Sequence, residues 1–252
     1  MASNPPGACC IVGVKHEGTP TGSIIKIGNR DAYLAVPEES KAQAGAAVLY
    51  LADIFGIWQN SKLVADQYAA NGYLCVIPDL FNGDQLTTEA MGAPGFDIMK
   101  WLGEGSDGKN PHTPEAVDPI VVEAINWLKS EKGVTKIASA GYCFGAKPLA
   151  RHVKDGINVG FFAHPSFVSE DELKAFNVPL SIAAAEIDNI FTTELRHKSE
   201  IILKEKGDPY QINLYSEVEH GFAVRAELSS KQARFAKEQA FIQAVTWFNT
   251  WL

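Results

Sequence analysis

Cysteine is scarce in this chain, clusters of basic residues are absent, and no apolar run approaches the length of a membrane span. Four cysteines, Cys9, Cys10, Cys75 and Cys143, occur in 252 residues. One of them sits in a turn that looks built for reactivity, so a reducing compartment suits the chain better than a disulfide framework. Cys9 and Cys10 have no metal-ligating neighbour at helpful spacing except His16, and no metal site is expected there. The net charge of −8 comes without any compensating run of Lys and Arg, which argues against a nucleic-acid partner. No apolar stretch nears the roughly 18 residues of a transmembrane helix, so no membrane partner is expected. Residues 1–7 hold neither a basic region nor an apolar core and do not read as a secretory signal. A cytoplasmic protein is the expectation. Internal repeats and linker-like stretches are also missing, and residues 1–252 are expected to form one domain.

What is present is a core-forming composition, 46% hydrophobic, arranged in alternating strand and helix patterns. The alternation predicts an α/β fold with a mostly parallel central sheet and helices on both faces. Residues 23–27 and 32–36, joined by Gly28-Asn29-Arg30-Asp31, predict an opening antiparallel hairpin. Further strands are expected over 46–51, 73–77, 136–140, 159–163, 180–186 and 211–215. Helices are expected over 62–71, 113–132, 193–205 and 230–251, the first three closed by Gly72, Gly133 and Gly207. Between Pro78 and Pro111 the pattern lapses: glycines at 83, 92, 95, 103, 105 and 108 surround one short helix near 96–102. An irregular stretch of that length predicts a pocket wall or lid, against the plainer reading of a surface excursion.

The stretch Gly141-Tyr142-Cys143-Phe144-Gly145 follows the apolar run Lys136-Ile137-Ala138-Ser139-Ala140 and precedes a helix-competent segment at 146–153. Strand, Gly-x-nucleophile-x-Gly, helix matches the nucleophile elbow of the α/β-hydrolases, with cysteine where serine is usual. The two glycines permit a turn too tight for side chains. The helix N-terminus beneath the sulfur favours a thiolate. Alone, the pentapeptide also describes a buried cysteine in an ordinary strand-to-helix turn, the plainer reading.

Its partners strengthen the functional reading. A cysteine nucleophile needs a base, and the base needs a group to hold its tautomer. In this fold the chain order is nucleophile, acid, histidine, on loops after late strands. Asp188 follows the strand ending Ala184-Ala185-Glu186-Ile187, and His220 follows Ser216-Glu217-Val218-Glu219. Glu186 is a rival acid inside the strand pattern, and Asp188 also has a possible role as a helix cap near Thr192 and Thr193. Of the other histidines, His16 and His112 compete, His152 and His197 fall in helices, and His164 ends a strand where it can line a pocket. The oxyanion donors expected are the backbone N–H groups of Phe144, after the nucleophile, and Ile54, after the third strand.

These residues together resemble the dienelactone hydrolase family. The resemblance rests on the elbow, Asp53-Ile54-Phe55-Gly56, Pro78-Asp79-Leu80-Phe81, Asp188 and His220-Gly221-Phe222, and it covers about residues 46 to 225. Cys9-Cys10 and Lys15-His16-Glu17-Gly18 are similar to its fungal branch. The resemblance implies an α/β-hydrolase fold, no cofactor, no metal, and a Cys-His-Asp triad at Cys143, His220 and Asp188. It also implies that Asp53 contacts the thiol, and that Phe55, Tyr142, His164, Phe222 and Arg225 contact substrate. The family's carboxylate-binding arginines are matched incompletely: 78–111 contains no arginine, only Lys100 and Lys109, and Arg225 falls one residue late. Asp53 is shorter than the usual glutamate. A small dianionic lactone therefore fits less well than a larger, more apolar ester or lactone. The expectation is a monomeric or homodimeric hydrolase of such a small molecule, acting through a thioester. The alternatives are a non-hydrolytic isomerase, dehydratase or cyclase of natural-product metabolism on the same scaffold, or a non-catalytic binder. Retained activity in Cys143→Ala would mark the first alternative, and absence of labelling by a thiol-reactive lactone the second.

Overall fold

The hairpin that opens the chain forms as expected, from β1 (Ser23–Ile27) and β2 (Arg30–Ala35), paired antiparallel with Ile25 opposite Ala32. The computed structural model describes residues 1–5 and 15–252, so Cys9 and Cys10 lie outside the described residues. The remaining strands are β3 (Ala46–Leu51), β4 (Leu74–Pro78), β5 (Lys136–Tyr142), β6 (Val159–Ala163), β7 (Leu180–Ile187) and β8 (Tyr210–Glu219). They join the hairpin in one sheet of order β1-β2-β4-β3-β5-β6-β7-β8, parallel from β4 to β8. The chain runs outward from β3 to β4 and then in the other direction from β5 onward. Between β3 and β5 the order reverses, and such a switch point opens a crevice at the carboxyl ends of the strands.

The helices are α1 (Gln59–Ala70), α2 (Thr88–Met91), α3 (Ile98–Glu104), α4 (Pro114–Ser130), α5 (Ala146–His152), α6 (Glu170–Ala175), α7 (Thr193–Lys206), α8 (Phe222–Arg225) and α9 (Lys231–Trp251). Side chains alternate across a strand, and β3 shows the consequence. Ala47, Leu49 and Leu51 enter one core with Val117, Val121 and Leu128 of α4 and Leu149 of α5. Val48 and Tyr50 enter the other with Tyr68 of α1 and Ala240, Ala244 and Phe248 of α9. Both faces are covered, which explains why the central strands read as continuous apolar runs.

Several stretches differ from expectation. β8 extends past Tyr215 to Glu219 because an irregularity absorbs two residues: Ala185 faces Tyr215, whereas Ile187 faces Glu219. Glu217 lies in that bulge at φ +58, the extra-residue geometry that bends a strand. The helices α2, α6 and α8 are additional; α6 opens on a capping box between Ser169 and Glu172, a pairing that satisfies two orphan amides. Among the described residues no helix is long and apolar enough to cross a membrane.

Candidate active site

The elbow stands where the sequence pattern places it. β5 ends at Tyr142, and Cys143 follows at φ +51, a left-handed conformation that disfavours side chains other than glycine. Packing imposes that strain. Register pairs Gly141 with Leu51 of β3, and a Cβ added at Gly145 would lie 2.0 Å from the Leu51 carbonyl oxygen. The missing side chain at 145 thus lets the elbow press against the end of β3, beside Asp53 and Ile54. Cys143 is wholly buried. Its Sγ lies 3.2 Å from Ser166 Oγ, and its carbonyl accepts from the Ser166 amide at 3.0 Å. Tyr142 points into the opposite core, stacked on Tyr50 at 4.5 Å and bonded through its hydroxyl to Tyr68 at 2.8 Å.

Asp188 and His220 meet although 32 residues separate them. His220 Nδ1 donates to Asp188 Oδ2 at 2.9 Å, with both side chains fully buried. Asp188 Oδ1 accepts from the Ile190 and Phe191 amides at 2.8 and 3.0 Å, which orients the carboxylate. The cap of α7 is Thr192, not Asp188. The rival Glu186 is exposed and accepts from the Glu217 amide at 2.7 Å. Burial alone would push the His220 imidazolium down, yet the Cys143 thiolate and the Asp188 carboxylate outweigh it and lift it to about 10. Burial also opposes ionisation of Asp188, but the hydrogen bond from His220 holds its carboxyl below the usual range.

His164 lies close by, its ring centroid 4.9 Å from that of His220 and 5.8 Å from that of Phe222. Burial pushes it down to about 4, against the pull of Cys143 and assisted by the charges of His220 and Arg225. The two adjacent histidines are thus shifted in opposite directions, His164 by burial and His220 by its negative partners. Of the others, His16 bonds the Ala226 carbonyl at 2.8 Å and His152 pairs with Asp155 at 2.6 Å.

Asp53 follows the end of β3 and is wholly buried. Its Oδ1 accepts from the Phe55 amide at 3.0 Å, and its Oδ2 from Arg225 Nη1 at 2.5 Å. Burial raises the Asp53 carboxyl, Arg225 draws it back, and the Cys143 thiolate adds to the rise. The Arg225 guanidinium also lies over the Phe55 ring at 5.1 Å. Gly221, at φ +93, makes room for it: an added Cβ would meet Arg225 Nη2 at 2.1 Å. Arg225 thus turns inward to a carboxylate of its own chain. Ile54 is anchored by its carbonyl, which accepts from the Leu86 amide at 2.9 Å. Lys100 and Lys109 are exposed. A cavity of about 390 Å³ is lined by His220, Phe222 and Arg225 together with Glu217, Glu219 and Glu227. Among the described residues no group of three or more His, Cys, Asp or Glu side chains is arranged to hold a metal ion.

Ser166 escaped the sequence reading; only its place just after His164 hints at it. His112 was no more than a rival base. It pairs with Asp84 through Nε2 at 2.9 Å, in the loop between β4 and α4.

A mostly parallel sheet in this order, with a strained elbow between β5 and α5 and helices on both faces, is the fold of an α/β-hydrolase. Residues 30–252 match the model of the dienelactone hydrolase family, and the chain belongs to that family. A relative from Aspergillus violaceofuscus, named Hydrolase pyvD, is 47% identical over 254 residues, covering 100% of this chain and 99% of its own length. Dienlactone hydrolase 1 of Gibberella moniliformis is 34% identical, over 100% of this chain and 96% of its own length. Among solved structures, a putative dienelactone hydrolase from Klebsiella pneumoniae superposes with a TM-score of 0.71 at 16% identity, covering 92% of this chain and 99% of that one.

Proposed function

We propose that this protein hydrolyses an ester or lactone of a small, largely apolar molecule through a thioester on Cys143. The observation that carries the reading is the buried Asp188–His220 pair, at 2.9 Å, acting on a cysteine held at a positive-φ elbow. The Cys143 thiolate attacks the carbonyl carbon, and the electron pair of the C=O bond moves onto oxygen. Backbone N–H groups of Phe144 and Ile54, apposed by the approach of the elbow to β3, are the donors for that oxyanion. The tetrahedral intermediate collapses, and the leaving alkoxide takes the proton of His220 Nε2. His220, now neutral, removes a proton from water, which attacks the thioester and releases the acid and the thiolate. Asp188 holds the imidazole in place throughout and stabilises its charged form.

The chemistry limits the substrate. Thiolate leaves a tetrahedral intermediate more readily than an ordinary alkoxide, so aryl esters and enol lactones turn over and amides do not. Arg225, engaged with Asp53, is not set out to grip a substrate carboxylate, and this favours a neutral ester. The relatives named as hydrolases and dienelactone hydrolases support the same class of reaction. The test is a panel of aryl esters, enol lactones, alkyl esters and amides, assayed with the wild type and Cys143→Ala. Turnover confined to the first two, and lost in the variant, is expected. Equal turnover in Cys143→Ala would rule out the thioester, and no turnover of the panel by the wild type would favour the isomerase, dehydratase or cyclase reading or that of a non-catalytic binder.

A further inference from the structure

The loop between β6 and α6 adopts backbone that side chains avoid. His164 stands at φ +39 and Phe167 at φ +64, and with Cys143 they are three of the five non-glycine residues at positive φ among the described residues. Such conformations cost free energy and persist only where the surroundings over-determine them. Here they are pinned from several directions. The His164 amide donates to the Ala183 carbonyl of β7 at 2.9 Å, and the Phe167 amide to the Asn4 carbonyl at 2.9 Å. The Val168 amide donates to Ser3 Oγ at 2.8 Å, and Lys147 Nζ to the Phe167 carbonyl at 3.2 Å. Between the two strained residues lie only Pro165 and Ser166, so Ser166 is what the loop presents to the elbow.

Ser166 is wholly buried and meets Cys143 twice. Its amide donates to the Cys143 carbonyl at 3.0 Å, which ties the loop to the elbow, and its Oγ lies 3.2 Å from the reacting sulfur. A serine hydroxyl has one proton to place. Sγ is the one acceptor within hydrogen-bond reach of Oγ among the described residues. Were the thiol the donor instead, that proton would be buried without an acceptor, which costs more than the bond returns. The proton therefore lies on Oγ and is directed at sulfur, and the bond is strongest when the sulfur is ionised. The titratable groups around Cys143 are Asp53 from the end of β3, paired with Arg225 of α8, His164 from the same loop, and His220 with Asp188 from the ends of β8 and β7. Ser166 is the uncharged member of this set, so its bond is present at every pH at which the thiolate exists.

We propose that Ser166 is a catalytic residue of this site, its hydroxyl donating to the Cys143 thiolate so that the sulfur is both stabilised in its charged form and aimed at the carbonyl carbon. The part Ser166 plays during turnover rests on the thioester route proposed above. When Sγ gives its electron pair to the carbonyl carbon, the sulfur loses its charge and the bond from Ser166 weakens. When water cleaves the thioester, the electron pair of the S–C bond returns to sulfur and the bond is restored. The hydroxyl thus favours sulfur as the group that leaves in the second half of the reaction, and no proton departs from Ser166 in either half.

The test is the ultraviolet absorbance of the thiolate, titrated from acid to mildly alkaline pH in the wild type and in Ser166→Ala. Each protein is read against its own Cys143→Ala counterpart, so the absorbance of Cys75 and of the remaining cysteines cancels. Removing the donor destabilises the charged sulfur, and deprotonation then needs a higher pH. The midpoint of thiolate formation is expected to rise by about one to two pH units in Ser166→Ala, the worth of a hydrogen bond to an ionised acceptor. A serine that only packed the loop would leave that midpoint in place. Should Ser166→Ala fail to fold, neutron diffraction from the wild type decides, with a deuteron on Ser166 Oγ directed at Sγ as the expected result. A midpoint that moves by less than about half a pH unit, or a deuteron on Sγ directed at Oγ, would overturn the proposal. The titration uses no substrate, so a raised midpoint stands even where no acyl adduct forms, and an unmoved one counts against Ser166 even where the adduct does form.

Discussion

Replacing Asp188 by Asn keeps the size of the side chain and removes the charge that faces His220. Asn Oδ1 can keep the bonds from the Ile190 and Phe191 amides, at 2.8 and 3.0 Å in the wild type. Its amide NH₂ then turns to His220 Nδ1 and stabilises the neutral ring with its proton on Nε2. That tautomer neither accepts the thiol proton nor supports the thiolate by charge. Breaking a buried charged pair costs about 3–5 kcal/mol, which corresponds to roughly two to three and a half orders of magnitude in acylation rate. A second signature follows from the proton. The wild-type imidazolium persists to about pH 10, so its capacity to protonate the leaving group lasts to that pH. Without the Asp188 carboxylate the imidazolium is lost earlier, and the alkaline limb of the acylation rate moves down by more than about one pH unit. Stopped-flow release of a nitrophenol from its ester, followed across the neutral to alkaline range, reads both effects. A fall of less than about tenfold with the alkaline limb unmoved would refute the role given to Asp188.

Three further outcomes follow from the geometry. Gly145→Ala sets a methyl 2.0 Å from the Leu51 carbonyl oxygen; it should lower urea-unfolding stability by about 3 kcal/mol or more and abolish acylation. Arg225→Met leaves Asp53 buried without its counter-charge and should destabilise the fold by about 3–5 kcal/mol, with most of the loss recovered in Asp53→Asn/Arg225→Met. His164 is held down to about 4 in the folded protein, so the unfolded chain takes up a proton that the folded chain does not. Its contribution therefore falls as pH drops from about 6.5 to about 4, by about 3 kcal/mol at most, and denaturation of His164→Phe should show a weaker acid dependence than the wild type over that interval.

The features written in local pattern were legible in the sequence, and those made by long-range pairing were not. β3 declares itself through six apolar residues, and the elbow through two glycines flanking a cysteine. Asp188 and His220 follow strands whose positions the same patterns reveal. Nothing local indicates that Arg225 folds back 172 residues to Asp53. The direction of the Tyr142 side chain is written in the strand alternation. Ala138 and Ala140 enter the core shared with α1 and α9, and alternation carries Tyr142 to the same side, away from the crevice. The extension of β8 was hidden because a bulge at Glu217 interrupts the alternation that marks a strand. Ser166 and the His112–Asp84 pair carry no spacing signal; only the folding of the 78–111 stretch against α4 brings the latter together.

The most direct test is intact-protein mass spectrometry on enzyme quenched during turnover of an aryl ester, followed by peptide mapping. The expected result is one acyl adduct, located on Cys143 in the wild type and absent from Cys143→Ala. Hydrolysis by the wild type without any adduct, or an adduct that persists in Cys143→Ala, would contradict nucleophilic catalysis by the elbow cysteine.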